Sequence, residues 1–175
     1  MQLRAELEPQ FDVAEKLYLE IYAAIMEYTA FYDENGDEGN AAYKQLEAKL
    51  KNLTGKDMTE FNLWEWWEEE GAESLAFAIS LPTPKRVDNV TLEELTELVK
   101  RAQGSNGPSA TDTDFRAAFY DCLVFSVCYF HKLLELNFEA YSHKLFQRNK
   151  DAAGNYFEYP TAEIVARLWN TGRIS

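Results

Sequence analysis

Residues 117–134, AAFYDCLVFSVCYFHKLL, are apolar nearly all the way around a helical wheel. A helix with that pattern leaves no face for water, so other elements must enclose it. The apolar part, Ala117 to Phe130, is interrupted by Asp121 and falls short of the ~20 residues that span a bilayer. It therefore reads as the central helix of a core, within a longer helical pattern running from about Asp112 to Arg148, either continuous or broken near Glu135 to Asn137.

The flanking sequence supplies the enclosing helices. From Pro9 to about Tyr32, Ala14, Leu17, Tyr18, Ile21, Ile25, Tyr28 and Tyr32 recur at three- and four-residue steps, and Glu15, Lys16, Glu20 and Glu27 fall opposite. The turn DENGDEGN, residues 33–40, stops that helix. A second helix is expected over about 40–53, with Gly55 as its C-cap. VTLEEL carries a capping box, Thr91 with Glu94, and a hydrophobic staple, Val90 with Leu95, so a helix should run from there to about Gln103. A last one is expected over about 160–170. Short β segments remain open at 85–90 and 156–159. The fold class that follows is all-α, a single-domain bundle of six or seven helices over residues 1–175, around the long helix at about 112–148.

Charge restricts the partners. The net charge is −13, and residues 1–80 hold 18 acids against 6 bases. Such a surface repels nucleic-acid phosphates and anionic lipid, so neither direct nucleic-acid binding nor membrane association is expected. It attracts a basic protein instead. The opening MQLRAELEPQ is polar, unlike a secretory signal, which points to the cytoplasm. Cys122 and Cys128, roughly 9 Å apart on one helix, are out of disulfide range and read as reduced core residues.

Chemistry-bearing patterns are sparse. Asp33, Asn35 and Asp37 alternate as in a calcium loop, but Glu38 stands where glycine is needed and Lys44 where glutamate is needed. His131, Glu135, Glu139 and His143 step by four, yet on one continuous helix each step rotates by ~40° and the outer pair diverges. No metal site, cofactor or catalytic residue is assigned, and the chain reads as a non-enzyme. The pairs Lys85-Arg86 and Lys100-Arg101 read as solvated ends. Asp121, inside the apolar run, is a candidate buried polar residue that needs a partner or an exit to solvent.

The stretch FNLWEWWEEEGAE, residues 61–73, gives the binding candidates. On a helix from Thr59 to about Leu81, Trp66 and Trp67 face the core, while Phe61, Trp64, Glu65, Glu68 and Glu69 lie on the other side. Aromatics supply binding hot spots and acids steer a basic partner. Asp33, Glu34, Asp37 and Glu38 extend this acidic surface. Glu70 falls on the buried stripe, so it needs a buried partner unless Gly71 ends the helix.

The profile of a small, acidic, helical chain without catalytic motifs is similar to that of immunity proteins, which neutralise bacterial toxins and often present acidic surfaces to basic nuclease domains. That resemblance is one of class, with no motif matched residue by residue. It implies a protein-binding inhibitor. Two other readings are a helical enzyme or ligand-binding domain built on a buried Asp121, and a structural or regulatory adaptor.

Overall fold

The computed structural model describes residues 2–66, 71–105, 107–109 and 111–170. Seven α-helices and a two-stranded ribbon occur among them, so the fold is all-α. The chain gathers into two compact units, residues 10–82 and residues 1–9 with 83–175.

The first unit is built on α1, Phe11–Asn35, with α2, Ala41–Thr54, and α3, Gly71–Ser80, packed against it. Ile21, Ala24, Ile25 and Tyr28 of α1 meet Leu46 and Leu50 of α2 and Ala72, Ala76 and Ile79 of α3. Both interhelical stops are the ones the sequence marks. Gly36 (φ 67°) returns its N–H to the Tyr32 carbonyl, and Gly55 (φ 72°) returns its own to Lys51. Both glycines occupy the φ > 0 region that L side chains avoid.

The expected helix from Thr59 to Leu81 does not form as one piece. Met58–Glu60 is a single 3₁₀ turn capped by Asp57, and α3 begins only at Gly71. Between them the Asn62 side chain accepts from the Trp64 and Glu65 N–H groups at 3.3 and 3.0 Å. That local bond competes with a helical ladder, and asparagine offers it where leucine or alanine could not. Gly71 thus opens a helix instead of closing one. At the other end of α3, the Lys56 ammonium donates to the Ala78 carbonyl at 2.8 Å and to that of Leu81, supplying positive charge at a helix C-terminus.

The second unit centres on α4, Leu92–Ala102, flanked by α6, Tyr129–Asn137, and α7, Thr161–Asn170. The capping box is present: Thr91 Oγ1 accepts from the Glu94 N–H, and Glu94 Oε2 accepts from the Thr91 N–H at 2.8 Å. Thr91→Ala should lower unfolding free energy by about 1 kcal/mol, read from a urea midpoint. Gly104 (φ 78°) closes α4 in a Schellman arrangement, its N–H on Arg101 and that of Ser105 on Lys100.

The long helix at 112–148 is the main correction. It is α5, Phe115–Asp121, then a π turn, Cys122–Ser126, then α6, with α5 and its π turn bent by 54° from α6. The bend falls at Cys128, whose φ of 53° is left-handed. α6 ends where Asn137, buried, donates to the Leu133 carbonyl at 2.7 Å and accepts from the Val87 N–H at 2.9 Å. Beyond it come a 3₁₀ turn, His143–Phe146, and the ribbon β1, Asn149–Lys150, antiparallel to β2, Tyr156–Phe157. β2 lies in one of the two candidate β segments, and 85–90 forms no strand.

No single helix among the described residues is long and apolar enough to cross a membrane. Among those residues one bent pair, Phe115–Ser126 with Tyr129–Asn137, passes by length and composition alone.

Candidate protein-binding surface

Unit by unit, the charge asymmetry sharpens. Residues 10–82 hold 16 acids and 5 lysines, a net of −11, with no arginine, whereas the other unit holds 14 acids against 12 bases. Nearly all the protein's field therefore comes from one small helical unit.

Within it, the two acidic segments separated in sequence meet. The Tyr32 and Trp64 rings lie 3.9 Å apart between centroids at 66°, and the Trp66 indole N–H donates to Thr29 Oγ1 at 3.1 Å. The C-terminal end of α1 is thereby pinned to the tryptophan segment. Asp33 and Glu34 follow Tyr32 directly, Glu65 follows Trp64, and all three carboxylates are exposed. Asp33 and Glu34 also sit in the last turn of α1, which has no basic residue. Acids there oppose the helix dipole and cost roughly 0.3–1 kcal/mol each. Their position is not one that folding stability favours.

The other candidates divide. Glu38 is exposed. Asp37 is the cap of α2: it accepts from the N–H groups of Ala41 (2.9 Å), Ala42 (3.3 Å) and Tyr43 (2.9 Å). Those bonds, that of Tyr43 foremost, hold its carboxyl below the usual range. Phe61 and Trp64 were expected opposite the core, but both are half-buried against it, as is Trp66. The helical phase that separated them is absent. Trp67, Glu68, Glu69 and Glu70 lie outside the described residues. Asp121 is exposed, so the candidate buried carboxylate is not buried, and a site built on its burial loses its residue.

Sequence reasoning placed no ion network in the second unit, yet one is there. Arg101, read as a solvated end, is 5% exposed, and donates from Nε to Glu97 Oε1 at 3.0 Å and from an Nη to Glu8 Oε2 at 2.7 Å. Arg4 Nε lies 3.0 Å from Glu94 Oε1, a charge contact whose angle falls short of a hydrogen bond, and an Arg4 Nη donates to the Asp88 carbonyl at 2.7 Å. These pairs tie residues 1–9 to α4. The available signal was Glu97 and Arg101 at i,i+4 inside a helix whose apolar stripe they border.

The two histidines do not diverge. With α6 ended at Asn137, the chain folds back so that Tyr141 Oη lies 3.1 Å from His131 Nδ1 and 3.5 Å from His143 Nδ1, with the imidazole centroids 4.9 Å apart. Burial, then the neighbouring His143, push His131 down to about 4, against a hydrogen bond from the ring to the Ala102 backbone carbonyl that favours the charged ring. His131 is therefore neutral at pH 7. Among the described residues, no group of three His, Cys, Asp or Glu side chains converges to hold a metal ion.

The chain matches no protein-family model, no curated protein and no solved structure.

Proposed function

We propose that the chain is a protein-binding inhibitor without chemistry of its own, of the immunity-protein kind. In this reading the acidic unit covers a basic bacterial toxin domain in the cytoplasm, without a cofactor and without contacting nucleic acid or membrane. The observation that carries the reading is the Tyr32–Trp64 contact, which draws Asp33, Glu34 and Glu65 around a half-buried aromatic pair on the unit of net charge −11. Aromatic anchors with surrounding acids suit a basic partner. The acids set the encounter rate, and the rings set how long the complex lasts.

Kinetics on the isolated partner test this. Raising salt from about 50 to about 500 mM should slow association roughly tenfold or more, and Asp33→Lys, Glu34→Lys and Glu65→Lys together should do the same with a smaller change in dissociation. Association indifferent to both treatments would contradict acidic steering.

A further inference from the structure

The solvent side of α1 departs from the pattern of an ordinary surface helix. Its buried stripe, Ile21, Ala24, Ile25 and Tyr28, packs with residues of α2 and α3, and charge should then occupy the middle of the opposite side. Apolar residues stand there instead. Leu19, Ala23, Met26 and Ala30 fall within about 60° of one another at 100° per residue, roughly opposite the core stripe. Leu19 is 73% exposed, Ala23 and Ala30 are exposed, and Met26 is half-buried. A single exposed leucine is ordinary. Four apolar residues spaced four, three and four apart have the period of a helix seam, the a and d positions of a heptad.

Carboxylates line one edge of that seam in the same period. Glu20, Glu27 and Glu34 recur every seven residues, the e positions when Leu19 is d, and all three are exposed. None of the three has an ion-pair partner among the described residues. α1 holds six acids and one base, Lys16, whose ammonium lies 4.0 Å from Asp12 one turn back. The seam is about 17 Å long. At its C-terminal end it runs into Asp33, Glu34 and the Tyr32–Trp64 contact.

We propose that this seam receives a basic amphipathic helix of the partner, an inference that rests on the acidic-surface reading and names the element the partner presents. The incoming apolar residues cover Leu19, Ala23, Met26 and Ala30, and lysines or arginines beside them meet Glu20, Glu27 and Glu34. With α2 and α3 on the other side, the docked helix completes a bundle around α1. The alanines let its backbone approach closely, and the spacing sets a shallow crossing of about 20°. A second copy of α1 makes a poor occupant. It would bring its own row of glutamates, with Lys16 as its only base.

A synthetic peptide stands in for the partner helix. The full chain is titrated, with amide NMR as the readout, with a peptide of about three heptads carrying leucine at a and d and lysine at e and g, whose own charges keep it from pairing with itself. Saturable shifts are expected along Leu19, Glu20, Ala23, Glu27 and Ala30. A scrambled peptide of the same composition has the charge but no apolar stripe, and should bind about tenfold more weakly or worse. The peptide with glutamate at e and g should not bind. Ala23→Glu separates seam from field: it adds an acid at an exposed helix position, so general attraction would strengthen binding, whereas a blocked seam loses it. Glu20→Lys with Glu27→Lys should exchange the preference, releasing the lysine peptide and accepting the glutamate one. These variants change exposed residues only and should keep the parent's melting temperature.

Equal binding of the scrambled peptide, tighter binding by Ala23→Glu, or shifts spread over all the surface acids would overturn the proposal. So would concentration-dependent shifts along the seam with no peptide present, which would make a second copy the occupant. A captured basic protein separates the two readings. If it leaves Ala23→Glu no faster than the parent, while Asp33→Lys with Glu65→Lys slows its association, the seam assignment fails and the acidic surface stands. If the peptide titrates the seam as expected but no basic protein is captured, the seam stands and the acidic-surface reading fails.

Discussion

Replacing Arg101 by methionine is expected to lower the stability of the second unit by about 3–5 kcal/mol, the range for removing one member of a buried ion pair. The size follows from what remains. Glu97, 4% exposed, would lose its i,i+4 partner, and Glu8 would lose its 2.7 Å bond. Burial alone would loosen the Arg101 proton. The two carboxylates reverse that and leave the guanidinium more firmly protonated than usual. The methylene stem and the packing over Phe130, 5.7 Å from the ring centroid, are partly kept by methionine, so the loss reports mainly on charge. Urea unfolding of Arg101→Met and of Arg101→Met with Glu97→Met checks this. The double variant should recover part of the loss, because removing the buried Arg101–Glu97 pair together costs less than removing one member, while Glu8 still loses its partner. A single variant within about 1 kcal/mol of the parent would show that the network is solvated after all.

Acid should destabilise the same unit through His131. Its ring pKa is about 4 folded, against about 6.5 when unfolded. Below pH 6.5 the unfolded chain therefore takes up a proton that the folded chain refuses. The sign is that of a depressed base: the contribution is complete above pH 6.5, shrinks as pH falls, and has been lost once pH reaches about 4. Two and a half pH units amount to roughly 3 kcal/mol. Carboxylates titrate in the lower part of this window, so the reading is the difference between the parent and His131→Gln. The parent should lose more stability between pH 6.5 and 4.5, and the His131 Cε1–H resonance should titrate near pH 4. A midpoint near 6.5 would mean that the ring is open to water.

The parts of the fold that the sequence made legible are those fixed by local rules. Gly36, Gly55 and the Thr91–Glu94 box ended or began helices where their backbone chemistry requires, and the stripe Ala14, Ile21, Ile25 and Tyr28 is buried. What escaped was decided by single polar side chains. Asn62 diverts a stretch whose apolar period reads as helix, and the break marked near Glu135 to Asn137 is made by Asn137 bonding to Val87, fifty residues away, a partner that no local pattern names. Periodicity sums over a window and is blind to one such bond. The end of α6 at Asn137 then lets His143 return to His131, which one continuous helix to Arg148 does not permit. For the site, composition placed the acids in the right half of the chain. It could not show that Tyr32 touches Trp64, because contacts between distant segments follow from packing.

A charge-reversal capture experiment tests the central claim, that the acidic unit recognises a basic protein, most directly. The parent chain, a triple variant (Asp33→Lys, Glu34→Lys, Glu65→Lys) and a control reversed on the other unit (Glu139→Lys, Glu158→Lys) are immobilised and exposed to lysate from the source cells at low salt. The bound protein is then identified and its affinity measured for all three chains. The account predicts one basic protein held by the parent and the control and released by the triple variant. A partner that is acidic, or one that the triple variant binds as tightly as the parent, would contradict it.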